Sequence, residues 1–293
     1  MAQLRPFYEQ VQAHYDLSNA FFALFLDPTR TYSCAYFERE DMTLEEAQQA
    51  KIDLALGKCN LQPGMRLLDI GCGWGATLRR AAEKFGAHAI GLTLSRNQYE
   101  HVAKTLDEHP PIAGRAEVRL QGWEEFDEPV DRIVSIGAFE HFRVERYLEF
   151  FTRCRRLLPS DGRMLLHTIL IRLPLQLQKL GIPLEHEDVQ FFKFINREIF
   201  PGGQLCDDRT VTDYARRGGF EVERTQSLQS HYARTLDHWA ANLQARREEA
   251  IALTDETVYQ RYMRYLTGCA RYFRSGHVDV MQFTLTVAPP ASS

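Results

Sequence analysis

Leu67-Leu68-Asp69-Ile70-Gly71-Cys72-Gly73-Trp74-Gly75 is the stretch on which the reading of this chain turns. An apolar run that closes on an acid and opens into alternating glycines reads as a buried parallel strand, a tight turn and then a helix, here Ala76 to Phe85. Without a Cβ, the backbone at Gly71, Gly73 and Gly75 is free to take positive φ and to approach a ligand closely. The following helix offers its free N–H groups and the positive end of its dipole. A dinucleotide site asks for G-x-G-x-x-G and an acid about 20 residues further on. Here the spacing is G-x-G-x-G, and the second strand, Ala89 to Ser95, ends without an acid and leaves Gln98 nearest a ribose. That lowers the case for NAD. The plain alternative is a turn that holds no ligand; Asp69 and the elements downstream favour a ligand site.

Of the 293 residues 44% are hydrophobic and 25% charged, which is enough apolar material for a substantial core, and no stretch reads as a linker, so one domain over 1–293 is expected. A net charge of −4 argues against a nucleic-acid protein. Cys34, Cys59, Cys72, Cys154, Cys206 and Cys269 show no C-x-x-C pair and no metal-ligand spacing, which suits a reduced, cytoplasmic protein. Met1 to Gln10 has no apolar core of a signal peptide, and the longest apolar run, Ala20 to Leu26, is too short to span a bilayer. Contact with lipid is expected from the water side.

Residues 1–60 read as a helical N-terminal cover. Arg5 to Leu26 is expected as two helices broken near Asp16 to Asn19, with Ser18 or Asn19 capping the second, and its rings serve either as a plain cover or as a lid over a substrate cavity. The loop Thr31 to Phe37 is dense in hydroxyl, thiol and ring groups. Thr43 and Glu46 form a capping box for a helix to about Leu56. After the glycine turn, strands at 89–94, 116–121, 132–136 and 162–168 alternate with helices at 97–106 and 146–157, the pattern of a doubly wound α/β sheet that binds ligands at the carboxyl ends of its strands. Between 170 and 203 the alternation stops. An apolar segment interspersed with Arg172, Lys179, Lys193 and Arg197 takes over, readable as a packed helix pair or as an acyl tunnel with a cationic rim. Helices at 209–217, 232–253 and 257–274 and strands at 221–227 and 278–287 complete the chain; the helical segment 230–275 is expected to share the tunnel.

Trp123 and Glu124 follow the third strand, where an indole face and a carboxylate acceptor suit an adenine. With Gln98 and Asp69, and with no P-loop lysine, they describe an adenosine site that fits S-adenosylmethionine better than ATP or NAD. A second group is Cys34, Glu140, His141, His167 and Tyr232: Glu140 follows one strand and His167 ends the next, so these two could meet in front of a methyl donor, although each residue taken singly also reads as an ordinary core residue.

Tyr32 to Phe37, Leu67 to Gly75, Gly91 to Ser95, Gln121 to Trp123, Ala138 to Phe142, Glu198 to Gly203 and Tyr265 to Cys269 together resemble the mycolic acid cyclopropane synthase and methyltransferase family, relatives of bacterial cyclopropane-fatty-acid synthases. The resemblance covers essentially the whole chain. It implies a Rossmann-like class I methyltransferase with a mostly parallel sheet of seven strands, the last antiparallel, and a tunnel for a long unsaturated acyl chain under the N-terminal and inserted helices. It implies S-adenosylmethionine at Tyr32, Ser33, Asp69, Gly71, Cys72, Gly73, Thr93, Leu94, Gln98, Gly122, Trp123, Glu124 and Ile136. It further implies a bicarbonate or carbonate ion held by Cys34, Glu140, His167, Tyr232 and the Ile136 backbone, acting as base after methyl transfer leaves a carbocation on the chain. Cys269 matches a cysteine sometimes credited with catalysis, but no neighbour in sequence would make it a thiolate, and a packed thiol is the simpler reading. Tyr15, Tyr232 and the rings of 191–200 are candidates to face the cation. The expected substrate is an unsaturated long acyl chain on an acyl carrier protein. Two other functions are compatible with the fold: a small-molecule N- or O-methyltransferase, and a lipid-binding protein without turnover.

Overall fold

The computed structural model describes residue 6, residues 18–109, residue 112 and residues 114–289. Seven strands, β1 (Arg66–Ile70), β2 (His88–Thr93), β3 (Ala116–Leu120), β4 (Arg132–Ile136), β5 (Arg163–Ile171), β6 (Phe220–Ser227) and β7 (Val278–Val287), form one sheet in the order β3-β2-β1-β4-β5-β7-β6. The first five are parallel, and β7 runs antiparallel to both β5 and β6. The strand order reverses between β1 and β4, so the crevice beyond their carboxyl ends opens at Gly71 on one side and Gly137 on the other.

Helices cover both faces. The face carrying Leu67, Ala89 and Val134 packs against α2 (Leu44–Lys58), α3 (Ala76–Phe85) and α4 (Arg96–Asp107). The opposite face, with Leu68, Ile133 and Leu166, packs against α5 (Tyr147–Leu157) and α8 (Asp208–Arg217). The turn after β1 is tied back by the Gly71 and Cys72 N–H groups, which donate to the Leu92 carbonyl at 3.0 and 2.9 Å. Gly71 has φ +85°, and a Cβ there would lie 2.4 Å from the Ala138 Cβ, so glycine is required both by the left-handed backbone and by close packing.

The third core is aromatic and lies off the strand ends. It joins α1 (Asn19–Ala23), the loop to Phe37, the inserted α7 (His186–Phe194), which follows the short α6 (Pro174–Lys179), and the run of α9 (Gln229–Ala245), α10 (Arg247–Leu253) and α11 (Glu256–Ser275). Ser18 caps α1 by accepting from the Phe21 N–H, and the capping box of Thr43 and Glu46 starts α2 as its sequence requires. The Trp74 indole N–H donates to Asn19 Oδ1 at 2.9 Å, fastening this cover to the glycine turn. The helix expected from Arg5 to about Tyr15 lies outside the described residues.

Several boundaries differ from the sequence reading. β5 runs three residues past Thr168, because β7 is long enough to pair with it as far as Ile171. The helix read as 232–253 begins at Gln229 and breaks at Arg246 (φ −113°, ψ 34°), giving α9 and α10. The insertion is two short helices, the second closing in a π-turn at Ile195–Ile199. Among the described residues no helix is long and apolar enough to cross a membrane.

Candidate active site

Three cavities lie beyond the carboxyl ends of β1, β4 and β5. The first is walled by Gly71, Gly73, Thr93, Leu94, Gln98, Gly122, Trp123 and Glu124, all residues expected at the adenosine. The second contains Tyr32, Ser33, Asp69, Cys72 and Ile136 and shares Gly71, Gly73 and Gln98 with the first. The third, of about 260 Å³ and mostly apolar, holds Cys34, Glu140, His167, Tyr232 and Cys269. Gly137, at φ +70°, lines all three.

In the first cavity the Trp123 ring is packed by the edge of Phe150 at 5.3 Å and by Phe142 at 5.8 Å, which fixes its plane. The Glu124 side chain is 4% exposed, and its Oε1 is held by Arg146 Nη1 at 2.9 Å. Burial raises its pKa, with Arg146 acting the other way. Its Oε2 is buried without a partner among the described residues, an acceptor aimed where a ligand N–H would satisfy it. The Thr93 hydroxyl donates to Gln98 Oε1 at 2.8 Å, fixing that side chain between the two ligand cavities.

In the second cavity Asp69 is 2% exposed and its Oδ2 has no partner among the described residues. Burial pushes its pKa up to about 7, partly offset by the nearby Lys51 ammonium. Lys51 is itself buried and donates to Ser33 Oγ at 2.8 Å; desolvation lowers its pKa to about 8. Gln48 Nε2, one residue face away on α2, donates to the Thr31 and Ser33 carbonyls at 3.2 and 2.8 Å. These two α2 residues hold the 31–34 loop against the glycine turn, and sequence reasoning missed both. The available signal was Lys51 standing between Ala47 and Ala55, on the same helical face as two small apolar residues.

In the third cavity Glu140 Oε1 accepts from the Ile169 N–H at 2.7 Å while its Oε2 has no partner among the described residues. Burial raises its pKa. His167 is 1% exposed, and its Nε2 likewise lacks a partner among the described residues. Burial, with the Lys51 and Lys58 charges, holds its pKa well below the usual value, so the ring is neutral. The Cys34 thiol is fully buried and sits 3.1 Å from the Ala35 carbonyl; desolvation raises its pKa. Tyr232 is pushed well up by the same cause.

The expected cluster is thus brought together, with two adjustments. Ile136 belongs to the second cavity and not to the wall shared by Cys34, Glu140, His167 and Tyr232. His141 lies between the first and third cavities, its pKa lowered to about 4 by burial. Cys269 lines the third cavity, and desolvation raises its pKa, the direction opposite to that of an activated thiolate. Tyr15 lies outside the described residues; Tyr232, Phe191, Phe192 and Phe200 do line the cavity.

Ile171, Phe192 and Asn196 line both the third cavity and an outer groove of about 650 Å³ edged by Lys193 and Arg197. Leu173, Leu175, Leu180 and Leu184 stand exposed around this region. Of the four cations read as a rim, Arg172 is structural: it donates to the Gly276 carbonyl and pairs with Asp279 at 3.2 Å, clamping the start of the insertion to β7.

Residues 2–283 match the family described as mycolic acid cyclopropane synthetase. The chain is 62% identical to cyclopropane mycolic acid synthase 3 of Mycobacterium tuberculosis, over 97% of this chain and 98% of that one. It is 60% identical to cyclopropane mycolic acid synthase 1 of the same organism, over 96% and 98%. Among solved structures it superposes on the cyclopropane synthase MmaA2 from Mycobacterium tuberculosis with TM-score 0.94 at 60% identity, covering 96% of this chain and 99% of that one. The mycolic acid cyclopropane synthase CmaA1 complexed with SAH and CTAB gives TM-score 0.93 at 60% identity and the same coverage.

Proposed function

The chain belongs to the mycolic acid cyclopropane synthetase family and is an S-adenosylmethionine-dependent methyltransferase, and from that premise we propose that it methylates the double bond of a long unsaturated acyl chain, in the making of mycolic-type lipids. The observation that carries this reading is the meeting of three cavities at Gly137: two lined by orphaned acceptors and one lined by rings and alkyl groups. In this reading the chain acts as one catalytic unit, with residues 18–60 covering the site and 170–203 and 230–275 walling the acyl tunnel.

The residues present fit both small partners. Asp69 Oδ2 suits the donor's ammonium and Glu124 Oε2 its adenine amine, each an acceptor left without a partner inside the protein. In the acyl cavity, the buried Nε2 of His167 and Oε2 of Glu140 suit a small oxyanion such as bicarbonate. When bound there, such an ion would supply a base.

S-adenosylmethionine supplies a methyl on a sulfonium. A double bond is a weak nucleophile, so the chain's task is to hold it in line with that methyl and to exclude water. The π electrons form the new carbon–carbon bond, the C–S pair stays on sulfur, and a cation is left on the acyl chain. The rings of Tyr232, Phe191 and Phe200 wall the cavity in which that cation forms. Loss of a proton from the added methyl gives its electron pair to the cationic carbon and closes a three-membered ring; an oxyanion held there would be the base that takes this proton, and Glu140, through its unpartnered Oε2, would accept the proton that the oxyanion hands on. If that proton stays, loss of a proton from a neighbouring chain carbon leaves a methyl-branched olefin, and capture of water with loss of its proton leaves a methyl-branched alcohol.

The outer groove suits the stem of an acyl chain presented by an acyl carrier protein, with exposed Lys179, Lys193 and Arg197 meeting the carrier's acids. We place the reaction in the cytoplasm, with peripheral access to lipid from the water side. To test the assignment, labelled donor is offered with a carrier-bound unsaturated acyl chain, its saturated counterpart, and a small amine. Label should enter the unsaturated lipid alone. Transfer to the amine at a comparable rate would favour an N-methyltransferase on this fold.

A pH effect follows from Asp69. Its carboxyl, raised to about 7 by burial in the free protein, must be ionised to face the donor's ammonium. S-adenosylhomocysteine affinity should therefore rise as pH increases, by about tenfold per unit below that pKa, and level off above it. In Asp69→Asn the slope should vanish and the affinity should be weak throughout. A wild-type affinity that is flat between pH 6 and 8 would remove Asp69 from the ammonium contact.

A further inference from the structure

A row of polar side chains crosses three strands behind His167. His167 pairs with Gln282 across β5 and β7, and Gln226 pairs with Gln282 across β6 and β7. Gln282 is 0% exposed and lines none of the three cavities. Lys58, the last residue of α2, reaches into the row, and its Nζ donates to Oε1 of Gln226 at 2.7 Å and to Oε1 of Gln282 at 2.6 Å.

These contacts determine where a proton sits. An ammonium carries donors only, so the Gln282 amide must turn its oxygen to Lys58 and its NH₂ to His167. Gln282 Nε2 lies 3.3 Å from His167 Nδ1. A neutral imidazole has one donor and one acceptor nitrogen, and Nδ1, faced by an N–H, is the acceptor. The ring proton is left on Nε2. That nitrogen is the one buried without a partner among the described residues, in the wall of the cavity that also holds Glu140 and Cys34.

We infer that Lys58 and Gln282 are positioning residues that fix His167 as its Nε2–H tautomer, so that the cavity presents an oxyanion with a hydrogen-bond donor and not a lone pair. The inference rests on the oxyanion reading of that cavity given above. The opposite tautomer would aim a nitrogen lone pair at a negative oxygen, and the ring could not then help to hold it. Positive charge on the ring is opposed by its burial and by the Lys51 and Lys58 ammonium groups, so tautomer choice is the means left to set the polarity of this wall.

The test is a long-range proton–nitrogen spectrum of the full chain labelled with ¹⁵N-histidine, without substrate, the His167 signals being identified by their loss in His167→Asn. Wild-type protein should show a protonated, pyrrole-type Nε2 and a pyridine-type Nδ1. Gln282→Glu places an acceptor opposite Nδ1, so the two signals should exchange. Turnover of that variant should fall by roughly ten- to a hundredfold, the range lost when outer partners of ligating histidines are removed, with S-adenosylhomocysteine affinity unchanged. Gln282→Met, of similar size but without the donor, should give signals averaged between the tautomers. A pyrrole-type Nδ1 or averaged signals in the wild type would overturn the inference, and so would unexchanged signals in a folded Gln282→Glu. Adding bicarbonate to bicarbonate-free wild type should move the Nε2–H proton signal downfield. If it does not while the tautomer is as stated, the oxyanion reading fails and the assignment of the proton stands.

Discussion

Glu140→Gln is expected to lower turnover by about two orders of magnitude or more, the scale on which a positioned acid–base group contributes, while S-adenosylhomocysteine binds as before. The amide keeps the size of the side chain and retains an oxygen for the Ile169 N–H, the contact that orients Glu140 at 2.7 Å. What it cannot do is accept a proton through the second position, where Oε2 is buried without a partner among the described residues. Because Glu140 lines the acyl cavity and neither donor cavity, the loss should fall on the chemical step and not on the donor's affinity. Tyr232→Phe removes a hydroxyl and keeps the ring, so its loss should be smaller. In both variants the cation survives longer, and olefin or hydroxylated product should appear at the expense of the normal one. Wild-type rate and product in Glu140→Gln would dissolve the proposed unit of Cys34, Glu140, His167 and Tyr232.

Gly137→Ala should act with similar force by a different route. At φ +70° an alanine is strained, a cost of about 1 to 2 kcal/mol to the fold. The added Cβ meets only Ser33 Cβ at 3.6 Å, so no collision prevents folding. It does stand where the three cavities join, which in the proposed function is where donor and double bond meet, and a misplacement of about 1 Å there is enough to lower the rate about a hundredfold. Thermal unfolding and turnover measured together separate the two effects: a modest drop in Tm with a large drop in rate is expected. A protein destabilised to that extent but fully active would mean that methyl transfer takes place elsewhere.

The sheet was legible because its signals are local. Strands buried on both faces read as continuous apolar runs, and β1, β4 and β7 follow from Leu67-Leu68, Ile133-Val134 and the long 278–287 run with little ambiguity. The glycine turn was legible for the same reason, since Gly71, Gly73 and Gly75 all take positive φ, and at Gly71 and Gly75 a Cβ would also collide with Ala138 and Val102. Cys34, Glu140, His167 and Tyr232 lie far apart in the sequence, and each has an ordinary core reading; the strand ends bring Glu140 and His167 to the site, and the resemblance supplies the anion-binding role of all four. What stayed hidden depends on contacts between distant elements. Arg146 restrains Glu124, Lys51 sits under Ser33, and Lys58 sets the orientation of Gln282 across a sheet whose register no local rule specifies. Arg172 shows the reverse case, a cation read as part of a docking rim that instead closes an internal clamp with Asp279.

The central claim is that a methyl is added to a double bond and that a proton then leaves that same methyl inside the cavity. Donor carrying a trideuterated methyl, offered with an unsaturated acyl chain and followed by mass spectrometry of the lipid, tests it most directly. The account predicts a ring product that keeps all but one of the deuterium atoms, with the missing one replaced by no other hydrogen. Transfer of the intact trideuterated methyl to nitrogen or oxygen, with the double bond untouched, would contradict it.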